Sequence, residues 1–228
     1  MSVITIDGPA GAGKSTIARK LARRLGWLYL DTGAMYRALA WAAKRTGIAP
    51  EDEDGMVRLC ERTEIGFENG RIMVNGVDIS SQIRTPEMDA LSSLISRIPA
   101  VRRYLTELQR KIRGTGDVIA EGRDMGTVVF PEAEHKFFLT ASLDIRASRR
   151  MKQLEKAGCY VPYEEVLSQI QARDEADSRR DLAPLRPAPD ACEIDTTDRT
   201  LDEVVDFIMA FLTESKTGCG VKGPQTTS

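Results

Sequence analysis

Short apolar runs alternate along this chain with longer stretches in which apolar residues recur every three or four positions. The runs at Val3–Ile6, Trp27–Leu30, Val118–Ala120, Lys136–Leu139 and Cys192–Asp195 have strand length. Between the first two, Ile17, Ala18, Leu21, Ala22 and Leu25 fall on one face of a helix over Ser15–Leu25, and Gly26 is placed to end it. Strand, helix and strand in succession make a βαβ unit. Repeated along the chain, that order predicts an α/β fold: a parallel sheet covered by helices.

Further helices are predicted over Ala34–Thr46, stopping at Gly47, and after Pro50, where Glu51 and Asp52 suit a first turn. The pattern then changes. Glu64–Ile79 reads as three short strands with hairpin turns at Asn69-Gly70 and Asn75-Gly76, a small antiparallel lobe set into the α/β chain. Helical periodicity returns over Pro99–Arg113, with Val101, Leu105, Leu108 and Ile112 on one face, and again over Leu143–Ala157 and Leu201–Leu212. Gly158–Pro189 is rich in charge and proline and carries Arg173, Asp174, Asp177, Arg179, Arg180 and Asp181, so it is a mobile lid or a solvated surface. The polar, small-residue tail after Leu212 is expected to be disordered.

With 228 residues and 42% hydrophobic content the chain can bury one good core. A net charge of -2 leaves no global basic field for nucleic acid, so any anion must be held by a local site. Cys60, Cys159, Cys192 and Cys219 stand singly, and the one histidine, His135, cannot complete a metal set with them; reduced thiols are expected. His135 itself is expected to be exposed at the start of a strand. No signal peptide or membrane-length apolar segment is visible, which points to a soluble, cytoplasmic protein acting on small molecules.

Gly8-Pro9-Ala10-Gly11-Ala12-Gly13-Lys14-Ser15 has the spacing of a phosphate-binding P-loop and lies between a strand and a helix. Backbone N–H groups can wrap a triphosphate only where side chains do not block them, and the following helix adds its positive N-terminal end. Lys14 is expected to reach the β- and γ-phosphates of ATP, and Ser15 to ligate Mg²⁺, with Thr16 completing the loop's contacts. A GTPase would need a guanine-specifying Asn-Lys-x-Asp segment, which is absent, and a motor a larger chain, so a compact kinase is favoured.

Three further stretches, Leu30-Asp31-Thr32-Gly33-Ala34-Met35-Tyr36-Arg37, Glu121-Gly122-Arg123-Asp124-Met125-Gly126-Thr127-Val128-Val129 and Arg173-Asp174-Glu175-Ala176-Asp177-Ser178-Arg179-Arg180, join the P-loop in register. Together, from about Val3 to Leu212, they resemble bacterial cytidylate kinases, including the hairpin insert that short nucleoside monophosphate kinases lack. The resemblance implies the P-loop nucleoside-monophosphate-kinase fold: a five-stranded parallel sheet flanked by helices, with a small antiparallel β insert and a helical lid. It implies one domain over residues 1–214, with core segments 1–62, 86–157 and 182–214, the insert at 63–85 and the lid at 158–181, followed by a disordered tail at 215–228.

It also implies roles. Arg37, Arg123 and Arg180 would surround the acceptor phosphate, where guanidinium offers paired donors to phosphate oxygens. Ser93, Arg102 and Asp124 would read the cytosine, with Tyr36 and Thr32 beside them; the register that selects Ser93 over Ser92 and Arg102 over Arg103 rests on Pro99-Ala100-Val101-Arg102. A carboxylate facing the exocyclic amine disfavours UMP, which turns a carbonyl there. Arg173 and Asp177, four apart on a helix, would serve the ribose or form a simple ion pair. Arg146, Arg149 and Arg150 precede the lid and would reach the ATP phosphates or adenine side as it closes, or else are arginines of a helix surface; Arg149 is assigned to ATP. Where the family usually has aspartate this chain has Glu121, expected to hold Mg²⁺ through water. Lys14, Arg123 and Arg180 are the expected catalytic residues. The alternatives are a UMP or AMP kinase and a P-loop switch without a small acceptor; the acceptors expected here are CMP and dCMP, with no nucleic-acid or membrane partner and a monomeric chain.

Overall fold

A computed structural model describes residues 2–68, 70–156 and 158–216. Hydrophobic strand β1 (Val3–Asp7) is buried along its whole length and leads through the P-loop into α1 (Lys14–Leu25), which ends at Gly26 in the left-handed conformation. β2 (Leu28–Asp31) then starts α2 (Thr32–Thr46). Next come α3 (Glu53–Arg62), the strands β3 (Ile65–Glu68), β4 (Arg71–Val74) and β5 (Val77–Asp78), and the helices α4 (Pro86–Ile95) and α5 (Pro99–Arg113). The chain finishes through β6 (Val118–Glu121), a π-helical turn at Met125–Val129, β7 (His135–Thr140), α6 (Leu143–Lys156), α7 (Tyr163–Ser178), β8 (Cys192–Asp195) and α8 (Leu201–Lys216).

These elements fall into two compact units. The first holds the described residues up to Tyr29, Gly116–Arg179 and those from Pro184 onward. Its five-stranded sheet has the order β2-β6-β1-β7-β8, with β1 parallel to both β6 and β7 and β7 parallel to β8. A parallel sheet needs both faces covered. Ile17 and Leu21 of α1 and Val204, Val205 and Ile208 of α8 pack with Ile4, Ile6, Phe137 and Ile194 into one cluster. A smaller cluster joins Ala147 and Leu154 of α6 to Val166 and Ile170 of α7. The second unit is Leu30–Thr115 with Arg180–Ala183, in which β3, β4 and β5 form an antiparallel sheet and α2 packs on α4.

Several sequence expectations are adjusted. Glu51 and Asp52 precede α3 rather than forming its first turn: Asp52 is the N-cap, its carboxylate accepting from Gly55 N–H at 2.8 Å, and Glu53 and Asp54 occupy the first turn. Helix α4 had no counterpart in the periodicity. The 158–189 stretch holds the helix expected around Arg173 and Asp177, and it is not merely solvated, since α7 buries Val166 and Ile170. α8 continues four residues past Leu212 to Lys216; the rest of the expected disordered tail, with Cys219, lies outside the described residues, as does Asn69 of the first hairpin turn. His135 is half-buried, its ring edge-on to Phe211 at 6.2 Å. Cys60, Cys159 and Cys192 are thiols. No helix among the described residues is long and apolar enough to cross a membrane.

Candidate functional site

In the first unit, the end of a buried strand forces the chain into a loop that only glycine permits. Gly8 has φ 142°, and a Cβ there would lie 2.0 Å from the Leu139 carbonyl oxygen; one at Gly11, φ 79°, would lie 2.9 Å from Arg146 Cβ. Gly13, also left-handed, starts α1 with no side-chain cap, and no acidic residue stands in the first turn. The N-terminal amides of α1 are thus left to an outside anion. Ser15 and Thr16 follow in the first turn, and the Ser15 hydroxyl makes no hydrogen bond among the described residues.

Lys14 is buried, and its ammonium donates to the Pro9 carbonyl at 2.7 Å. Burial lowers its pKa well below the ordinary lysine range, and the positive charges of Arg123 and Arg173 push the same way against the support of Glu121 and Asp7. Several cations held around one buried ammonium are electrostatically costly until a polyanion joins them.

Arg123 follows β6. Its Nε donates to Asp177 Oδ2 at 2.9 Å and its Nη1 to the Gly122 carbonyl at 3.2 Å. Burial works against the guanidinium charge, but the fully buried Asp177 carboxylate, with Glu121 and Asp174, outweighs it and holds Arg123 above its ordinary value. Asp177, expected to serve the ribose or to pair with Arg173 within one helix, also binds Arg123 of a distant segment of the same unit. Glu121 is buried at the end of β6 and accepts from the Tyr29 hydroxyl at 3.0 Å. Asp124 is buried and opens the π-helical turn, its backbone carbonyl accepting from Val128 and Val129 N–H.

Three residues near the loop, Asp7, Asp174 and Thr196, were not singled out as site residues, and Arg146 was named only as a residue facing ATP. Asp7 accepts from Met125 and Gly126 N–H at 2.9 and 2.8 Å, and burial raises its pKa to about 6. Its place directly before Gly8 was the available signal. Arg146 donates through Nη1 to the Ala10 carbonyl at 3.3 Å and pairs with Asp174 of α7, which itself accepts from Ala10 N–H at 3.3 Å. Arg149, assigned to ATP, holds the Thr196 carbonyl and hydroxyl at 2.7 and 3.0 Å, and Thr196 in turn donates to the Ala12 carbonyl of the loop.

In the second unit, Asp31 caps α2 through Ala34 N–H at 2.8 Å and also receives Arg84 at 3.3 Å. Arg37, one turn into α2, sits between Asp31 and Asp89 at 3.6 Å from each. Thr32 is buried at the start of the same helix. Arg102 is buried, its guanidinium 6.0 Å above the Tyr36 ring and its Nη1 donating to the Ser96 carbonyl, whereas Arg103 is exposed. Ser92 is buried with its hydroxyl donating to the Asp89 carbonyl, while Ser93 is half-exposed. Arg180, half-buried, belongs to this unit too. The choice of Ser93 and Arg102 over their neighbours is compatible with these positions.

A family model described as cytidylate kinase matches residues 4–214. The cytidylate kinase of Carboxydothermus hydrogenoformans is 52% identical over 213 residues, covering 92% of this chain and 96% of that one. That of Caldanaerobacter subterraneus is 47% identical over 94% of this chain and 96% of its own, and that of Geobacter sulfurreducens 48% identical over 93% of each.

Proposed function

The chain belongs to the cytidylate kinase family, and from that premise we propose that it transfers the γ-phosphate of ATP to CMP and dCMP, giving CDP or dCDP and ADP. The observation that carries the reading is the buried Lys14 in the field of Arg123 and Arg173, beside an uncapped helix N-terminus with no acidic first turn. Open helix N-terminal amides beside a buried lysine and two arginines suit a polyphosphate.

In the transfer, an oxygen of the acceptor's phosphate forms a bond to the γ-phosphorus as the bond to the β-phosphate oxygen breaks and ADP leaves. The transition state is loose and needs positioning and charge neutralisation rather than a protein nucleophile. Gly8, Pro9, Ala10, Gly11, Ala12, Gly13, Ser15 and Thr16 hold the ATP phosphates, and Lys14 follows the charge as it moves. Arg37, Arg123 and Arg180 are assigned to the acceptor phosphate, and Arg173 and Asp177 to the sugar side. Ser93, Arg102 and Asp124 read the base, with Tyr36 and Thr32 beside it. Arg149 is assigned to the ATP side.

Mg²⁺ fits the donors present, since the Ser15 hydroxyl is uncommitted and Glu121 supplies a buried carboxylate, both hard oxygens. When bound it would neutralise phosphate charge; Ser15 would hold it directly and Glu121 through water. We further read residues 1–214 as one kinase domain, monomeric and cytoplasmic, acting on small nucleotides only.

The test is ADP release measured across CMP, dCMP, UMP, AMP and GMP. Turnover is expected with CMP and dCMP well above the others. Equal rates with UMP or AMP would point to a different monophosphate kinase, and nucleotide binding without acceptor-dependent turnover to a switch.

A further inference from the structure

The second unit carries a cavity of about 480 Å³, bounded by α2, α3 and the β4–β5 hairpin, to which the kinase reading gives no part. Trp41 and Arg45 of α2, Arg58 and Arg62 of α3, and Val74 and Val77 of the hairpin line it. Three of its lining residues are arginines and none is acidic, although acidic residues slightly outnumber basic ones in the chain. Arg58 and Arg62, one helical turn apart, make no ion pair or hydrogen bond among the described residues. Arg45 makes only a stacking contact, its guanidinium 5.2 Å from the centre of the Trp41 ring. Ile48, Leu59, Val74 and Val77 supply apolar lining, and Val77 is half-exposed.

Guanidinium groups that line one concavity without an ion pair can serve phosphate recognition, because each presents paired donors to phosphate oxygens. A tryptophan face and an aliphatic wall in the same cavity suit a planar ring. The volume is that of a small-molecule site, whereas a folded protein partner would need a contact of roughly 800 Å² per side. Three cations call for a chain carrying about three negative charges, which a monophosphate lacks.

We propose that this cavity is a second nucleotide site that takes a nucleoside di- or triphosphate, its phosphate chain on Arg45, Arg58 and Arg62 and its base against Trp41 and the hairpin valines. None of the residues assigned to phosphoryl transfer lines it, so the site stands or falls apart from the kinase activity.

The experiment uses the full chain. Trp27 and Trp41 are its two tryptophans, so Trp27→Phe leaves Trp41 as the sole reporter. GTP, CTP and inorganic tripolyphosphate are titrated against that protein and against the same protein carrying Arg58→Ala and Arg62→Ala. Saturable quenching is expected, tighter with GTP or CTP than with tripolyphosphate and at least tenfold weaker in the arginine double variant, with kcat and KM for ATP and CMP unchanged. Equilibrium dialysis of labelled GTP on the chain with both tryptophans present, with and without the arginine substitutions, serves if Trp27→Phe fails to fold: the double variant should lose one bound nucleotide per chain. Equal affinity in both proteins, no saturable binding at millimolar concentrations, or the same number of bound nucleotides per chain would overturn the proposal.

Discussion

At the scale of single residues, the functional loop stands on a carboxylate that the loop motif does not include. Asp7 fixes the first amides of the π-helical turn at the end of β1 while burial raises its pKa from 3.8 to about 6. The sign of the linkage follows. Between those values the unfolded chain has already released the proton that the folded chain retains, so stability falls as pH rises from about 4 to 6. Two pKa units correspond to about 3 kcal/mol. Asp7→Asn removes this titration, and thermal unfolding followed across that range should show a flatter pH dependence for the variant than for the parent. Asp124 tests the base-reading assignment instead. Asp124→Asn is expected to lower kcat/KM for CMP roughly 10- to 100-fold and to narrow the ratio over UMP, because the amide no longer repels the uracil carbonyl. A variant that loses CMP activity but keeps the full CMP-to-UMP ratio would place the discrimination elsewhere.

At the scale of elements, the β insert depends on a turn whose backbone suits few side chains. Asn75 has φ 48° and Gly76 φ 77°, and Asn75 Oδ1 accepts from Glu64 N–H at 2.7 Å, tying the turn back to the start of β3. Asn75→Ala meets a left-handed penalty of about 1–2 kcal/mol and loses the hydrogen bond, so urea unfolding should show a loss of about 2 kcal/mol; Asn75→Gly, which keeps the conformation, should lose about half as much. This turn was readable from the sequence because its chemistry is local. So were the P-loop, whose glycines answer a backbone requirement, and α5, whose apolar stripe matches the helical period. Helix α4 was not, since Ser92 and Ser93 interrupt its apolar stripe, and the signals for it sit at its start, where the Thr85 hydroxyl accepts from Met88 N–H and Pro86 opens the first turn. The π-helical turn is set by the distant Asp7 carboxylate, which no local pattern reports. The Arg123–Asp177 pair joins residues 54 apart, so spacing on α7 alone could not report it.

At the scale of the whole molecule, burying Lys14 beside other cations trades stability for affinity. Lys14 is desolvated, and the like charges of Arg123 and Arg173 add to the cost of its ammonium. Because its folded pKa lies below the unfolded one, the cost is fully present at low pH and is relieved as pH rises toward the ordinary lysine value. A bound triphosphate reverses the balance by supplying the missing negative charge. Lys14→Ala should therefore leave the nucleotide-free protein at least as stable as the parent near neutral pH, while kcat/KM falls more than 100-fold, or about 3 kcal/mol. Thermal unfolding with and without ATP separates this from simple damage. At a hundredfold excess over Kd the parent should gain about 2.7 kcal/mol, on the order of 5–10 °C, and the variant should gain almost nothing at the same ATP concentration. A variant that is strongly destabilised without nucleotide would make Lys14 a structural residue, and one that keeps the full ATP-induced gain would remove it from the phosphate site.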